Sequence, residues 1–513
     1  MSARGIMVLG TGSHVGKTLL TAALCRILHQ DGYRVAPFKA QNMSLNSAAT
    51  PEGGEIGRAQ ALQAEAAGVA PSVDMNPVLL KPTSDRRSQV VVRGKIWRDV
   101  DAYEYHRRRT DELFGIVCES YARLAARYDV VVLEGAGSPA EINLRATDIV
   151  NMRMAHAADA RCLLVGDIDR GGVFASLYGT IALLDAADRA RIAGTIVNKF
   201  RGDPALFEPA IPLLEEKTGR PCFGIVPYLR DVGLEEEDGV GLDVVKIAHR
   251  SSWSDGENAE RRVRIAVVAW PAIANYTDFD ALAREPSVEL AYVDAPEALV
   301  GADLVILPGT KSTLAALAWL RVHGFDRALR SQVAPFAFGI CGGMQALGSR
   351  VDDPLGVEGG GSAEGLGLLP LRTVLAGEKV CERAGGTVVA SRLFGSDAYG
   401  RALAGYEIHV GETEYETGAL TFARIVRESD GRILEDGAVA ADGSACGTYL
   451  HGLFDSDAFR AWFITSLRAA RKLAPARWFV AFGAERESRF DRLAAHVRVS
   501  IDVPRAIGSL VRS

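Results

Sequence analysis

The 513-residue sequence contains no Cys-x-x-Cys pair, and its seven cysteines are widely spaced and odd in number. It therefore offers neither a disulfide framework nor a zinc site and leaves reduced thiols, any one of which can be reactive. Basic residues are scattered and the formal net charge is −6, so the electrostatic footprint of a nucleic-acid partner or an anionic lipid surface is missing. No stretch reaches the ~18 apolar residues that a membrane span requires. The opening apolar run, Ile6 to Leu9, is too short for a signal-peptide core and runs straight into a glycine-rich turn, which makes it a first strand. A cytoplasmic protein without a membrane partner is the expectation. Disorder is excluded as well, because 48% of the residues are apolar and supply ample material for buried sheets.

What is present divides in two. Single cores stop growing at roughly 250–300 residues, so a chain of this length splits. β-branched runs at Ile6–Leu9, Val130–Leu133, Cys162–Val165 and Thr195–Val197 alternate with amphipathic stretches such as Leu19–Leu28. That is the pattern of a doubly wound α/β domain with buried parallel strands. A polar stretch without apolar periodicity runs from His249 to Arg262, and a second α/β series restarts at Arg264–Ala269, continuing through Leu304–Leu307 and Phe336–Ile340. The fold class is thus α/β, with two doubly wound parallel-sheet domains over 1–245 and 263–460, a linker over 246–262 and a helical, Arg-rich tail over 461–513. No internal repeat is found.

The first strand ends in Gly10-Thr-Gly-Ser-His-Val-Gly-Lys-Thr18 and opens directly into an apolar-periodic helix. Backbone N–H groups at Gly12 and Gly16 can cradle phosphates, Lys17 can reach the terminal ones, and the Thr18 hydroxyl can bind Mg²⁺. An ordinary glycine turn would not require Lys-Thr at that point. Five residues rather than four separate Gly10 from Gly16, and this longer loop with the same ending resembles that of dethiobiotin synthetase-like ATPases. Lys39, just beyond the strand predicted over Arg34–Phe38, is a candidate second cation for the nucleotide, or else a solvated lysine. Glu134 closes the apolar strand Val130–Leu133 before Gly-Ala-Gly137, at the end of the strand where open α/β sheets bind ligands, and is a candidate Mg²⁺ ligand, with a buried structural carboxylate as the competing role. Asp148 is a candidate for positioning substrate or metal, with a helix cap as the competing role. Asn198 could hydrogen-bond a nucleotide base or simply form a turn.

In the second half, Phe336-Ala-Phe-Gly-Ile-Cys-Gly-Gly-Met-Gln345 reads as a strand, a tight turn carrying one cysteine, and a helix start. Small residues around Cys341 permit the strained elbow that exposes a nucleophile. A free thiol is only partly ionised at neutral pH, so a base is wanted, and His451 in Gly447-Thr-Tyr-Leu-His-Gly-Leu-Phe454 is the candidate. The two contexts together resemble class I glutamine amidotransferases. That resemblance implies attack of Cys341 on the side-chain amide of glutamine, a glutamyl thioester and release of ammonia. An oxyanion hole is then expected from backbone N–H groups at Gly342 and at Gly309 of Leu307-Pro-Gly-Thr310. Many members of that class carry a glutamate two residues after the histidine, where this chain has Leu453. His409, in Gly405-Tyr-Glu-Ile-His-Val-Gly411, stands in a motif-like setting and is as readily structural.

Four further segments, Phe38-Lys-Ala-Gln-Asn-Met-Ser-Leu-Asn46, Glu134-Gly-Ala-Gly-Ser138, Val197-Asn-Lys-Phe-Arg-Gly-Asp203 and Leu307-Pro-Gly-Thr-Lys-Ser-Thr313, resemble the cobyric acid synthase family in order and spacing. Its subgroup also lacks the glutamate after the histidine. The resemblance implies a carbon–nitrogen ligase that uses ATP, Mg²⁺ and glutamine to amidate the b, d, e and g carboxylates of a corrinoid, adenosylcobyrinic acid a,c-diamide, through acyl phosphates. Cobyrinic acid a,c-diamide synthases and nucleotide-dependent regulatory ATPases with an inactive second domain are the alternatives.

Overall fold

The computed structural model describes residues 3–84, 87–101, 110–230, 232–234, 247–248, 253 and 261–508. The chain divides into two compact units, one made of Met1–Ser44, Ile56–Gly239 and Arg486–Ser513, the other of Leu45–Glu55 and Val240–Glu485. The division differs from a simple succession of domains at two places: an internal stretch of the first half folds with the second unit, and the end of the chain folds with the first. Most of the stretch read as a linker, 246–262, lies outside the described residues; within it, Ile247–Ala248 pair with Tyr292–Val293 as an edge strand.

The first unit is built on a six-stranded sheet. Its strands are β1 (Arg4–Gly10), β2 (Val35–Phe38), β3 (Val130–Glu134), β4 (Arg161–Asp167), β5 (Ile192–Phe200) and β6 (Cys222–Pro227). The spatial order is β6-β5-β4-β1-β3-β2 and every pairing is parallel. Period-two alternation sends Met7, Leu9, Val131 and Leu133 into one apolar layer and Ile6, Val8, Val130 and Val132 into the other. Both faces are therefore covered, which is why the strands read as continuous apolar runs. Helix α1 (Lys17–Gln30) buries Leu20, Leu24, Ile27 and Leu28 on one stripe.

The second layer of that core is completed from the far end of the chain. Helix α2 (Phe482–Ser500) and the segment beyond it contribute Phe490, Leu493, Val497, Ile501 and Ile507 to the same cluster as α1. The described residues Arg486–Gly508 belong to the first unit and are not an appended tail.

The second unit carries an eleven-stranded sheet. Val263–Val268, Val288–Val293, Leu304–Leu307, Phe336–Ile340 and Ala445–Thr448 form its parallel part. From Ala445–Thr448 outward the sheet turns antiparallel through Ile433–Val439, Leu420–Arg427, Val380–Val388, Ala402–His409 and Leu450–His451. The antiparallel half was not foreseen in the sequence, because its strands are half-exposed and interrupted by glycine. Among the described residues no helix is long and apolar enough to cross a membrane.

Two candidate catalytic centres

The first centre lies at the carboxyl ends of β1 and β3, next to each other in the sheet. Gly16 adopts a left-handed φ of +94° as the N-cap of α1, and a Cβ there would come within 2.3 Å of the Asn198 amide nitrogen. A side chain at this position is excluded on both counts. Lys17 is fully buried, and its Nζ donates to the carbonyls of Gly12 at 2.7 Å and Gly137 at 3.3 Å. The loop after β1 and the loop after β3 are thus tied by one ammonium group.

Glu134 collects the remaining polar side chains. Its Oε1 accepts from the Thr18 hydroxyl at 3.0 Å and from Lys39 Nζ at 2.8 Å, and its Oε2 accepts from Gln63 Nε2. Lys39 is 2% exposed and Glu134 1%, so Lys39 is no solvated surface lysine. A buried carboxylate costs several kcal/mol unless paired and hydrogen-bonded, and this one is both. Gln63 had not been picked out from sequence, since a glutamine on a short helix carries no signal of its own.

Asp148 is engaged elsewhere. Its carboxylate accepts from the N–H groups of Val150 (2.7 Å) and Asn151 (3.1 Å) and from Asn151 Nδ2 (2.9 Å), which makes it the turn-forming residue before the helix Met152–Ala157 rather than a direct partner of the Glu134 cluster. Asn151 in turn clamps both backbone groups of Ala136, so Asp148 acts on the loop that holds Gly137. Asn198 donates its Nδ2 to the carbonyl of Val15 at 2.8 Å and braces the glycine-rich loop. Beside it lies a cavity lined by His14, Lys199, Tyr228 and, from α2, Leu493, His496 and Val497.

The second centre is assembled by loops at the carboxyl ends of three adjacent parallel strands, the position where open α/β sheets bind ligands. After Phe336–Ile340, Cys341 sits at φ +54°, ψ −114°, a sparsely populated conformation for a non-glycine residue and a mark of strain held by its surroundings. What holds it is close packing: a Cβ on Gly343 would lie 1.9 Å from the Leu307 carbonyl oxygen, and one on Gly339 2.6 Å from the Met344 nitrogen. The elbow read from the sequence is there. Cys341 N–H donates to the Thr448 carbonyl at 2.8 Å, and its sulfur stands 3.3 Å from the Ile408 carbonyl oxygen.

Ala445–Thr448 lies beside the cysteine strand, and the chain then turns so that His451 pairs with Tyr406 on the antiparallel edge. The imidazole lies close enough to the Cys341 sulfur for the two to interact electrostatically. Gly309 lies against its other edge, where a Cβ would stand 3.0 Å from His451 Cε1. Gly342 opens the helix Gly342–Leu347 and abuts Thr310. Of the two glycines named for an oxyanion hole, Gly342 directly follows the nucleophile and Gly309 lies against His451.

The orienting carboxylate comes from far upstream. Asp278, in the turn Tyr276–Phe279, accepts from His451 Nδ1 at 2.6 Å and from the Gly452 N–H at 3.0 Å. Both side chains are almost fully buried. Burial alone would lower the histidine pKa, but the Asp278 charge and hydrogen bond, helped by Cys341, outweigh it and push the value up to about 10. A protonated imidazole beside the sulfur is therefore the resting arrangement at neutral pH. Asp278 was missed in the sequence; the available signal was a carboxylate shortly after the first strand of the second α/β series. His409 is buried and stacked on Tyr449 with ring centroids 3.7 Å apart, and burial depresses its pKa.

Two family models together account for nearly all of this architecture. Residues 6–242 match the CobQ/CobB/MinD/ParA nucleotide binding domain, and residues 264–459 match the CobB/CobQ-like glutamine amidotransferase domain. The chain is 48% identical over 512 residues to a cobyric acid synthase of Syntrophobacter fumaroxidans, covering 98% of each chain. It is 50% identical over 509 residues to a cobyric acid synthase of Salmonella heidelberg, covering 98% of this chain and 97% of that one.

Proposed function

The chain belongs to the cobyric acid synthase family, and from that premise we propose that it amidates the b, d, e and g carboxylates of adenosylcobyrinic acid a,c-diamide with ammonia drawn from glutamine and energy drawn from ATP. It is a glutamine-dependent amidotransferase, and the observation that carries the reading is the Cys341–His451–Asp278 relay in one unit of a chain whose other unit holds a phosphate-type centre.

At the glutaminase centre the Cys341 sulfur, its proton already resting on His451, attacks the carboxamide carbon of glutamine. The tetrahedral oxyanion is held by backbone N–H groups at Gly342 and Gly309. Collapse breaks the C–N bond, His451 gives its proton to the departing nitrogen, and ammonia leaves a glutamyl thioester. His451, now neutral, takes a proton from water as that water attacks the thioester, and the sulfur leaves with its electron pair, releasing glutamate and restoring the protonated imidazole beside the sulfur. Asp278 keeps the Nδ1 proton on its own side of the ring throughout, so that Nε2 faces the sulfur.

At the synthetase centre, Gly12, Gly16 and Lys17 bind the triphosphate. Thr18 and Glu134 place a hydroxyl and a carboxylate 3.0 Å apart, a pair of hard oxygen donors that fits Mg²⁺, which is commonly bound through one or two protein oxygens plus phosphates. Bound there, Mg²⁺ supplies charge neutralisation for the phosphoryl group in transfer. Lys39 adds positive charge at the same carboxylate, and Asn198 lines the cavity that this reading assigns to the base. The substrate carboxylate takes the γ-phosphoryl group, ammonia displaces phosphate from the acyl phosphate, and the amide forms.

The test is mass spectrometry of adenosylcobyrinic acid a,c-diamide incubated with the protein, Mg-ATP and glutamine. Successive losses of about 1 Da, ending at four, are expected as each OH becomes NH₂; an unchanged corrinoid with active controls would refute the substrate assignment.

A further inference from the structure

The stretch Leu45–Glu55 branches from the nucleotide-binding unit between Ser44 and Ile56, yet it folds as part of the amidotransferase unit. It is not a solvated loop. Ser47–Thr50 is buried throughout, and Glu55 and Ser47 have no exposed surface. Such burial of peptide and carboxylate groups requires specific partners, and the partners are informative.

The Ser47 N–H donates to Asn275 Oδ1 at 2.9 Å, and the Ser47 carbonyl accepts from the Tyr406 hydroxyl at 3.4 Å. Its own hydroxyl donates to Glu55 Oε1 at 2.7 Å, while Glu55 Oε2 pairs with Lys379 in a buried ion pair. Asn275 has a left-handed φ of +52° and caps the turn Tyr276–Phe279, where its carbonyl accepts from the Asp278 N–H at 3.0 Å. Tyr406 lies nearly parallel to the His451 ring, 17° apart in plane with centroids at 5.5 Å. The backbone of a single residue thus grips two others, the first of which sets the turn bearing Asp278 while the second lies over the face of His451.

We propose that Leu45–Glu55 is a positioning element of the glutaminase centre: a segment contributed by the nucleotide-binding half that holds Asp278 and His451 in place through the Ser47 backbone. The proposal rests on the amidotransferase reading above. It makes the glutaminase centre incomplete without chain from the first half, although none of these residues touches the reacting atoms.

Three variants of the full chain test it. Asn275→Gly keeps the left-handed backbone and removes the acceptor; Asn275→Asp keeps an acceptor; Tyr406→Phe keeps the ring and removes one oxygen. Glutamate release is measured against pH with Mg-ATP and the corrinoid present, and amidation from high ammonia serves as the control for an intact fold. Asn275→Gly should lower kcat about tenfold, the scale of one misplaced hydrogen bond, with KM for glutamine moving less than about twofold. The high-pH limb should shift downward as Asp278 loosens its hold on His451. Asn275→Asp should recover most of kcat. Tyr406→Phe should fall in the same direction with ammonia-dependent amidation intact, and this single-atom change decides the matter if Asn275→Gly damages the fold. Glutaminase within about twofold of the parent protein for both Asn275→Gly and Tyr406→Phe at every pH would overturn the proposal. Failure of the parent protein itself to release glutamate would instead overturn the amidotransferase reading.

Discussion

Asp278 does for His451 what a neighbouring glutamate does in many relatives of its class, from a position upstream in the sequence but in direct contact in space. Asp278→Asn should reduce glutamine-dependent turnover by about 10³-fold or more, the order lost when the carboxylate orienting a catalytic histidine is neutralised, measured as glutamate release. The same change should bring the basic limb of the pH profile down, because the charge that outweighs burial and holds the His451 pKa up is gone. The sign for stability follows from the same shift. The folded-state pKa lies above the ordinary histidine value, so the pair's contribution is fully present below that ordinary value and disappears as pH rises through about 10. Thermal unfolding of the parent protein and of Asp278→Asn across that window should therefore converge at high pH. Cys341 and His451 were legible from sequence because each sits in a distinctive local pattern; Asp278 was not, because a single carboxylate in a turn has no pattern.

At the scale of elements, the cysteine elbow depends on a backbone approach that no side chain can enter. Gly343→Ala would place a methyl group 1.9 Å from the Leu307 carbonyl oxygen. The turn must then shift, and glutaminase activity should fall by about 10²-fold or more, on the scale of an ångström-sized misplacement of the nucleophile. Amidation from high ammonia, measured alongside, should persist. Helix α2 makes a different kind of prediction. Phe490 is fully buried against α1, and Phe490→Ala should cost about 3–5 kcal/mol in the stability of the first unit, read from a denaturant midpoint. Affinity for ATP should fall with it, since Leu493 and His496 of the same helix line the cavity beside Asn198. The Arg-rich character of this region marked it as helical, but nothing in the helix said which sheet it would cover. An amphipathic stripe specifies a face to bury, not a partner.

At the scale of the whole molecule, the two centres divide one reaction into the release of ammonia and its use. Cys341→Ala should abolish glutamine-dependent amidation while leaving synthesis with high ammonia, since the synthetase centre needs only NH₃ as nucleophile. Corrinoid products from the two nitrogen sources, compared by mass spectrometry, check this, and equal loss with both would mean that Cys341 supports the fold rather than the chemistry. The interleaving of the units bears on how any such variant is read. Because Leu45–Glu55 and the residues from Arg486 onward are exchanged across the order of the chain, cutting the sequence into halves near 245 would remove core from one unit and a buried strand from the other.

Short-range chemistry in the sequence by itself determined the α/β class, the glycine-rich phosphate loop, the cysteine elbow and its histidine. Each depends on residues a few positions apart, whose backbone demands are visible locally: a left-handed Gly16, small neighbours for Cys341, alternating apolar strands. Only the tertiary structure decided what lies across those loops. It brought Asp278 to His451, Lys39 and Gln63 to Glu134, and Ser47 to Asn275 and Tyr406. It also withdrew Asp148 to its own turn. The physical reason is that a buried charge or peptide takes whichever partner the packing supplies, and that partner is set by strand order and crossover, which the one-dimensional pattern does not contain.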